Sequence, residues 1–261
     1  MADWLCPALR DLWIELFYDL SRFAYAGADR VTALFPGASE RQALIGCPPE
    51  KRRVIPNGID LAPFLAIPPA EAALPLHIGA LIRFAPIKDL KTMLRAFAAV
   101  HHRHPDAVLH LMGGTDDDAY RASCERLVKD LGLQDAVRLE GHIAVAERLP
   151  QMRFTVLSSI SEGQPLAVLE SMAAARPVVS TRVGNCPDLI LGDPPCGLIV
   201  PPMRPDLLAE AMLALCEPDA PIRRMGLAGR ERVARHHRLH DMLQAYHQLY
   251  REVLPLGGNR I

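Results

Sequence analysis

Two carboxylates, Glu162 and Glu170, stand eight residues apart in the stretch SEGQPLAVLE. Gly163 between them permits backbone conformations closed to other residues, and Pro165 suits the first turn of a helix. We therefore expect Glu162 in the loop before a helix and Glu170 about two turns inside it, near the same face. Free N–H groups and the helix dipole would make this loop an anion site, and carboxylates beside it suit the hydroxyls of a nucleotide sugar. The alternative is that Glu162 only caps the helix and Glu170 is solvated.

A pair of basic residues, Arg83 and Lys88, follows the first strand predicted after residue 75, in the stretch GALIRFAPIKDL. Two fixed cations facing a helix N-terminus can hold a diphosphate without a metal and stabilise its charge as it leaves. Taken alone, an arginine and a lysine in a loop are ordinary surface charges. Their position after a strand, together with the two carboxylates downstream, favours the binding interpretation.

Composition describes an ordinary globular chain of 261 residues, 50% hydrophobic and 23% charged, with a formal net charge of −1. That balance predicts no nucleic-acid partner. The six cysteines form no CxxC pair, which argues against a zinc site or a disulfide scaffold and favours a reducing compartment. Charged residues interrupt the apolar N-terminal stretch, so we expect neither a signal peptide nor a membrane span, and a cytoplasmic location.

Strand and helix patterns alternate regularly from residue 76 onward. Strands are predicted at 76–82, 108–112, 137–140, 154–158, 178–181 and 197–200. Helices are predicted at 89–104, 119–131, 146–152, 165–175, 205–217, 222–235 and 241–254. Short apolar strands separated by amphipathic helices imply an α/β fold, a Rossmann-like parallel sheet with helices on both faces. Ligands bind such sheets at the carboxyl ends of the strands. The loops that follow these ends are 79–89, 113–118, 141–144, 158–165 and 181–187.

The segment before residue 76 has a different character. It contains an amphipathic helix at 9–26, a single strand at 30–34 and a helix at 39–45 with Ser39 as N-cap. A proline-rich passage containing VIPNGID follows and resembles a linker. We expect a remnant of another domain at 1–53, a linker at 54–75, a nucleotide-sugar-binding domain at 76–203 and C-terminal helices at 204–261.

Three consecutive aspartates, Asp116 to Asp118, contain a DxD, which can hold a divalent metal. Here the run directly precedes a predicted helix, where carboxylates cap free N–H groups and interact favourably with the dipole. We therefore expect capping and no metal site. The sequence also lacks GxSxG, P-loop and GxGxxG motifs, so nucleophilic hydrolysis and dinucleotide binding have no support.

With these residues in view, the chain resembles the family-four retaining glycosyltransferases of the GT-B fold. Their donor domain carries an arginine and a lysine after its first strand and two glutamates eight residues apart later in the chain. Three stretches look closest to the PelF type of Pel exopolysaccharide synthesis: LRDLWIELFYDLSRFAYAGADRV, VIPNGID and SISEGQPLAVLESMAAARPVVSTRVGNCPDLI. The family often has phenylalanine where Gln164 stands, and glycine where Ala175 stands.

The resemblance implies catalytic roles for Arg83, Lys88 and Glu162, the first two on the donor diphosphate and the third on the transferred sugar. Glu170 would accept hydrogen bonds from the ribose hydroxyls. The remaining donor-binding residues that it implies are Gly79, Gly141, His142, Gly163, Gln164, Pro165 and Leu166. The donor would be a UDP-sugar used as co-substrate, with no metal or other cofactor, and a hexose would be transferred with retention.

The resemblance also implies a polysaccharide or other glycan acceptor, membrane-associated polysaccharide synthase components as partners, and a peripheral location at the inner face of the membrane. A GT-B enzyme has two Rossmann-like domains, and this chain would begin inside the first, which leaves its activity alone in question. The alternative function is a non-catalytic UDP-sugar-binding half that acts by association with other assembly proteins. A sugar-nucleotide epimerase is a third, weaker interpretation.

Overall fold

The computed structural model describes residues 7–254, with side chains from residue 12 onward. Strands are β1 (Val31–Ala33), β2 (Arg52–Val54), β3 (His77–Leu81), β4 (Val108–Met112), β5 (Val137–Gly141), β6 (Phe154–Leu157), β7 (Val178–Thr181) and β8 (Gly197–Val200). Helices are α1 (Pro7–Gly27), α2 (Pro36–Ile45), α3 (Ala62–Leu65), α4 (Leu90–Arg103), α5 (Asp118–Asp130), α6 (Val145–Arg148), α7 (Leu166–Ala173), α8 (Cys186–Ile190), α9 (Pro205–Cys216), α10 (Ile222–His236) and α11 (Leu239–Val253). The chain divides into two compact units, Gly58–His240 and the segments on either side of it.

The smaller unit contains a two-stranded parallel sheet in which β1 pairs with β2. The prediction of a single strand here is wrong, because two arginines in the three residues of β2 give no apolar strand pattern. The Arg52 guanidinium donates to the carbonyl of Ser39, 3.1 Å away. Ser39 itself is buried inside α2 and is not its N-cap; that position belongs to Phe35, and Pro36 opens the helix.

Helix α1, in the same unit, carries an exposed apolar surface. The side chains of Trp13, Phe17 and Phe23 are 50%, 56% and 81% exposed. Several aliphatic residues between them are exposed as well, among them Leu12 and Leu20. Contiguous apolar surface of this kind favours association with other molecules.

The larger unit is built on a six-stranded parallel sheet in the order β5-β4-β3-β6-β7-β8. Side chains alternate between its two faces, as they must on a strand. In β3, Ile78 and Ala80 pack in one apolar cluster with α4, α5 and α9, while Leu81 packs in the other with α7, α8 and α10. The predicted α/β fold, a parallel sheet covered on both faces, is confirmed, and all six predicted strands form.

The proline-rich segment interpreted as a linker lies mostly within the larger unit. Between its prolines, Ile59, Phe64 and Ile67 are buried in the cluster that contains α7. The two ends of this unit also meet, because the N–H of Ile59 donates to the carbonyl of His237 and the carbonyl of Ile59 accepts from the N–H of Leu239. Helices α9 and α10 belong to this unit, whereas residues from 241 onward belong to the smaller one. Among the helices within 7–254, none is both long and apolar enough to cross a membrane.

Candidate functional site

A cavity of about 430 Å³ opens at the carboxyl ends of β3, β4 and β5. The loop after β6 and the start of α7 also line it. Its volume lies in the range of small-molecule sites, roughly 300–1,000 Å³. Eight of the eleven predicted site residues line it: Arg83, Lys88, His142, Glu162, Gln164, Pro165, Leu166 and Glu170. The cavity therefore occupies the end of the sheet at which an α/β fold binds ligands.

Lys88 and Glu162 meet in this cavity. The Lys88 ammonium lies 2.6 Å from Oε1 of Glu162, and the two side chains are only 18% and 12% exposed. The hydroxyl of Ser159 donates to the same oxygen, also at 2.6 Å. The Glu162 carboxylate thus accepts two short hydrogen bonds, one of them from a cation. Glu162 does not cap α7, whose N-cap is Pro165 without a side-chain bond.

Lys88 owes its place to a tight turn at the end of a short 3₁₀ helix, Pro86–Lys88. Asp89 follows with a φ of 45°, a left-handed conformation, and its side chain accepts from the N–H of Thr92 as the N-cap of α4. The N–H of Leu90 donates to the hydroxyl of Tyr120 on α5. These bonds fix the backbone that directly follows Lys88.

Arg83 lies on the same loop but pairs elsewhere. Its guanidinium is 2.6 Å from the carboxylate of Asp116, and both side chains are well exposed, at 64% and 46%. Asp117 is the N-cap of α5 and accepts from the N–H of Tyr120 at 2.8 Å, so the predicted capping is confirmed for this residue. No motif or spacing in the sequence predicts the pairing of Asp116 with Arg83. Within the described ranges, no group of three acidic, histidine or cysteine side chains could hold a metal.

Glu170 lines the cavity from α7. Among residues 12–254, no side chain pairs with its carboxylate, and burial raises its pKa above the ordinary value. A half-buried carboxylate of this kind differs from a solvated helix residue, because part of its hydration is lost and its oxygens can accept hydrogen bonds from a ligand. Because α7 begins at Leu166, Glu170 is its fifth residue and lies little more than one turn inside the helix, not the two turns predicted. It lines the same cavity as Glu162.

Three of the predicted donor-binding residues do not line the cavity, and all three are glycines. Gly79 lies inside β3, where an added Cβ would press on Met112 and Met152, so it serves packing. Gly141 ends β5 with a φ of 66°, and its carbonyl accepts from the N–H of Gly113. Gly163 accepts from the N–H of Asn185, which ties the loop after β6 to the loop after β7. Gly141 and Gly163 do not line the cavity themselves, but their carbonyls hold the loops that do.

Glycines outside the predicted set also permit the cavity to form. Gly184 has a φ of 50°, and a Cβ there would overlap the carbonyl oxygens of Gly163 and Glu162. The imidazole of His142 lies where a side chain on Gly114 would stand. Close approach of backbone segments is the usual reason for glycine at such positions.

A largely buried polar network lies at the end of β5, and no motif in the sequence predicts it. Nδ1 of His110 is 2.6 Å from Oε1 of Glu140, and the Arg148 guanidinium donates to Oε2 at the same distance. Burial by itself raises the pKa of Glu140, but the hydrogen bonds from His110 and Arg148 outweigh it and hold the pKa below its ordinary value. Burial and the neighbouring His110 lower the pKa of His77. This network fixes the end of β5.

Comparison with known proteins decides the family. A family model described as "Glycosyl transferases group 1" matches residues 74–218, more than half of the chain. The chain belongs to this family. A second model, described as a domain of unknown function (DUF3492), matches residues 1–50.

Curated glycosyltransferases are similar to this group 1 chain over most of its length. The D-inositol 3-phosphate glycosyltransferase of Kineococcus radiotolerans is 32% identical over 233 residues, which cover 78% of this chain and 52% of that protein. The MMP alpha-(1->4)-mannosyltransferase of Mycolicibacterium hassiacum is 26% identical, covering 88% of this chain and 56% of that protein. The chain thus spans about half the length of the curated relatives it matches.

Solved structures support the fold of this group 1 family member. Sucrose-phosphate synthase from Thermosynechococcus elongatus superposes with a TM-score of 0.78 at 27% identity, covering 92% of this chain and 62% of that one. HepE from Anabaena, solved in complex with UDP and glucose, gives a TM-score of 0.75 at 17% identity, covering 92% of this chain and 66% of that one. The second likeness shows the fold alone.

Proposed function

We propose that this chain binds a UDP-sugar in the cavity at the end of the sheet and serves transfer of its hexose to a glycan acceptor. The observation that carries the proposal is the meeting of Lys88 and Glu162 in a cavity that Glu170 also lines. A cation for phosphate and carboxylates for sugar hydroxyls are then within one small-molecule site. HepE, a protein of the same fold, was solved with UDP and with UDP-glucose, which supports the choice of donor.

In this proposal the donor diphosphate competes for the two cations of the site. Each cation lies 2.6 Å from a carboxylate, Lys88 from Glu162 and Arg83 from Asp116. To bind the phosphate oxygens, each cation therefore has to leave its carboxylate. The two cations stabilise the charge that grows on the leaving UDP, so no metal is needed for this step. Glu162, released from Lys88, accepts hydrogen bonds from the transferred hexose.

The carboxylate of Glu170 is assigned to the ribose. It lies on α7 beyond Glu162 and has no partner within residues 12–254, so it can accept two hydroxyl donors. The finer assignments rest on the resemblance of the three stretches quoted above. They are retention of configuration, a PelF-type role in Pel exopolysaccharide synthesis, and membrane-associated synthase components as partners at the inner face of the membrane.

Release of UDP from UDP-hexoses, measured with and without oligosaccharide acceptors, tests the proposal. Turnover above background that Lys88→Ala removes would support transfer by this chain. UDP binding without turnover would favour the second candidate, a UDP-sugar-binding half that acts through other assembly proteins. Failure to bind UDP at all would contradict both.

A further inference from the structure

Two consecutive serines, Ser158 and Ser159, follow β6 and are completely buried. The hydroxyl of Ser158 lies 2.8 Å from the carbonyl oxygen of Lys88 and 3.0 Å from that of Asp89. The hydroxyl of Ser159 donates to Oε1 of Glu162 at 2.6 Å. Ser158 therefore contacts the backbone of Lys88, and Ser159 contacts the carboxylate of Glu162, with which Lys88 pairs.

The backbone of this pair is held by bonds that do not involve the Ser159 hydroxyl. The hydroxyl of Thr181 on β7 donates to the carbonyl of Ser159 at 2.6 Å. The N–H of Ile160 donates to the carbonyl of Ile87, one residue before Lys88. Because the main chain is fixed independently, loss of the Ser159 hydroxyl should leave its course unchanged and act on Glu162 alone.

Both donors to Glu162 use the same oxygen. Lys88 and Ser159 contact Oε1, and Oε2 has no partner within the described part of the chain. We propose that Ser159 is a positioning residue that holds Glu162 in place when Lys88 turns to the donor diphosphate, so that Oε2 stays available to the hexose. This inference rests on the proposed function.

Ser159→Ala tests the inference, with Ser171→Ala as its matched control. Ser171 is also buried and donates to a backbone carbonyl, that of Ala167, without contacting Lys88 or Glu162. Calorimetry should show that Ser159→Ala weakens binding of UDP-glucose about tenfold, the size expected for a hydrogen bond to a charged group, and changes UDP binding less than twofold. Ser171→Ala should change neither. Equal losses for both ligands would mean a merely structural serine and would overturn the inference.

A second measurement needs no ligand. Urea unfolding midpoints are compared for Ser159→Ala, Glu162→Ala and the double variant, a double-mutant cycle. If Ser159 holds Glu162, the two shifts in midpoint are not additive. Ser159→Ala then lowers the midpoint less in the Glu162→Ala background than in wild type. Additive shifts would overturn the inference. If the wild-type chain binds neither UDP nor UDP-glucose, the proposed function fails, while the cycle still decides whether Ser159 holds Glu162.

Discussion

The ammonium of Lys88 and the carboxylate of Glu162 lie 2.6 Å apart although 74 residues separate them in the sequence. The order of the sheet explains the meeting, since β3, which precedes Lys88, pairs directly with β6, which precedes Glu162. Neighbouring parallel strands deliver their following loops to the same edge. In this chain, that edge holds a cation and an anion that neutralise each other.

Lys88→Ala should weaken UDP binding by about 1.5–3 kcal/mol, the range for a hydrogen bond to a charged group. The reason is that a phosphate would lose its least exposed cationic partner in the cavity. Isothermal titration calorimetry measures the change directly. Lys129→Ala provides the control, because Lys129 is an exposed lysine on α5 outside the cavity lining. Unchanged UDP affinity in Lys88→Ala would remove this residue from the site.

Asp116→Asn should strengthen UDP binding by roughly 0.2–1 kcal/mol, because Arg83 no longer has to leave a carboxylate that lies 2.6 Å away. The gain should shrink at high salt, since the pair is exposed. Asp130→Asn removes an equal charge from the exposed far end of α5 and should have no effect. Weaker UDP binding in Asp116→Asn would show that the aspartate contacts the ligand favourably.

Glu170→Gln should change how stability depends on pH. Burial raises the pKa of Glu170, so the folded protein binds this proton more readily than the unfolded chain. Its contribution to stability is therefore fully present below the ordinary carboxyl pKa and is lost as the pH rises to the raised value. Urea unfolding across this window should show a decline in wild type that is smaller in Glu170→Gln. An identical decline in both proteins would contradict the assignment.

The same variant separates the ribose from the phosphates. Glu170→Gln should weaken UDP binding more than binding of pyrophosphate, since only UDP carries the hydroxyls assigned to this carboxylate. Calorimetry with both ligands provides the comparison. Equal losses for UDP and pyrophosphate would place Glu170 near the phosphates instead.

Gly184→Ala should disrupt the loop that carries Glu162. Both Gly184 and Gly132 have positive φ, 50° and 69°, but only at Gly184 would a Cβ meet backbone atoms, those of Glu162 and Gly163. Gly132→Ala should thus cost only the strain of a left-handed alanine, about 1–2 kcal/mol. Gly184→Ala should cost more and also weaken UDP binding, as unfolding and calorimetry would reveal. Equal destabilisation by both substitutions would contradict the close packing of the two loops.

Periodicity predicted the parts of the fold in which burial dominates. The strands β3, β4, β6 and β7 are short, largely buried runs, and β5 alternates apolar with charged residues. An apolar run with helical spacing, as at Leu166 and Leu169, is likewise visible in the sequence. β2 was not predicted because two of its three residues are arginines, Arg52 and Arg53, which do not give an apolar strand pattern. This strand forms by pairing with β1. Local pattern carries no information about such a partner.

The position of the site could also be predicted from periodicity, because the predicted strands determine which loops lie at the same edge of the sheet. The loops that follow the strands were identified from topology, which placed Lys88, Glu162 and Glu170 at one edge. The pairing of Arg83 with Asp116 depends on how two loops fold over each other, and no spacing encodes it. For Gly79 the family resemblance implied donor binding, but this glycine does not line the cavity, and an added Cβ would press on Met112 and Met152.

The entry and exit of the larger unit run side by side, since Ile59 bonds to both His237 and Leu239. A few added residues could join these ends and new termini could be opened in a surface loop, yielding a circular permutant of Gly58–His240. The sheet edge that carries Lys88 and Glu162 would then be available for study as a freestanding module.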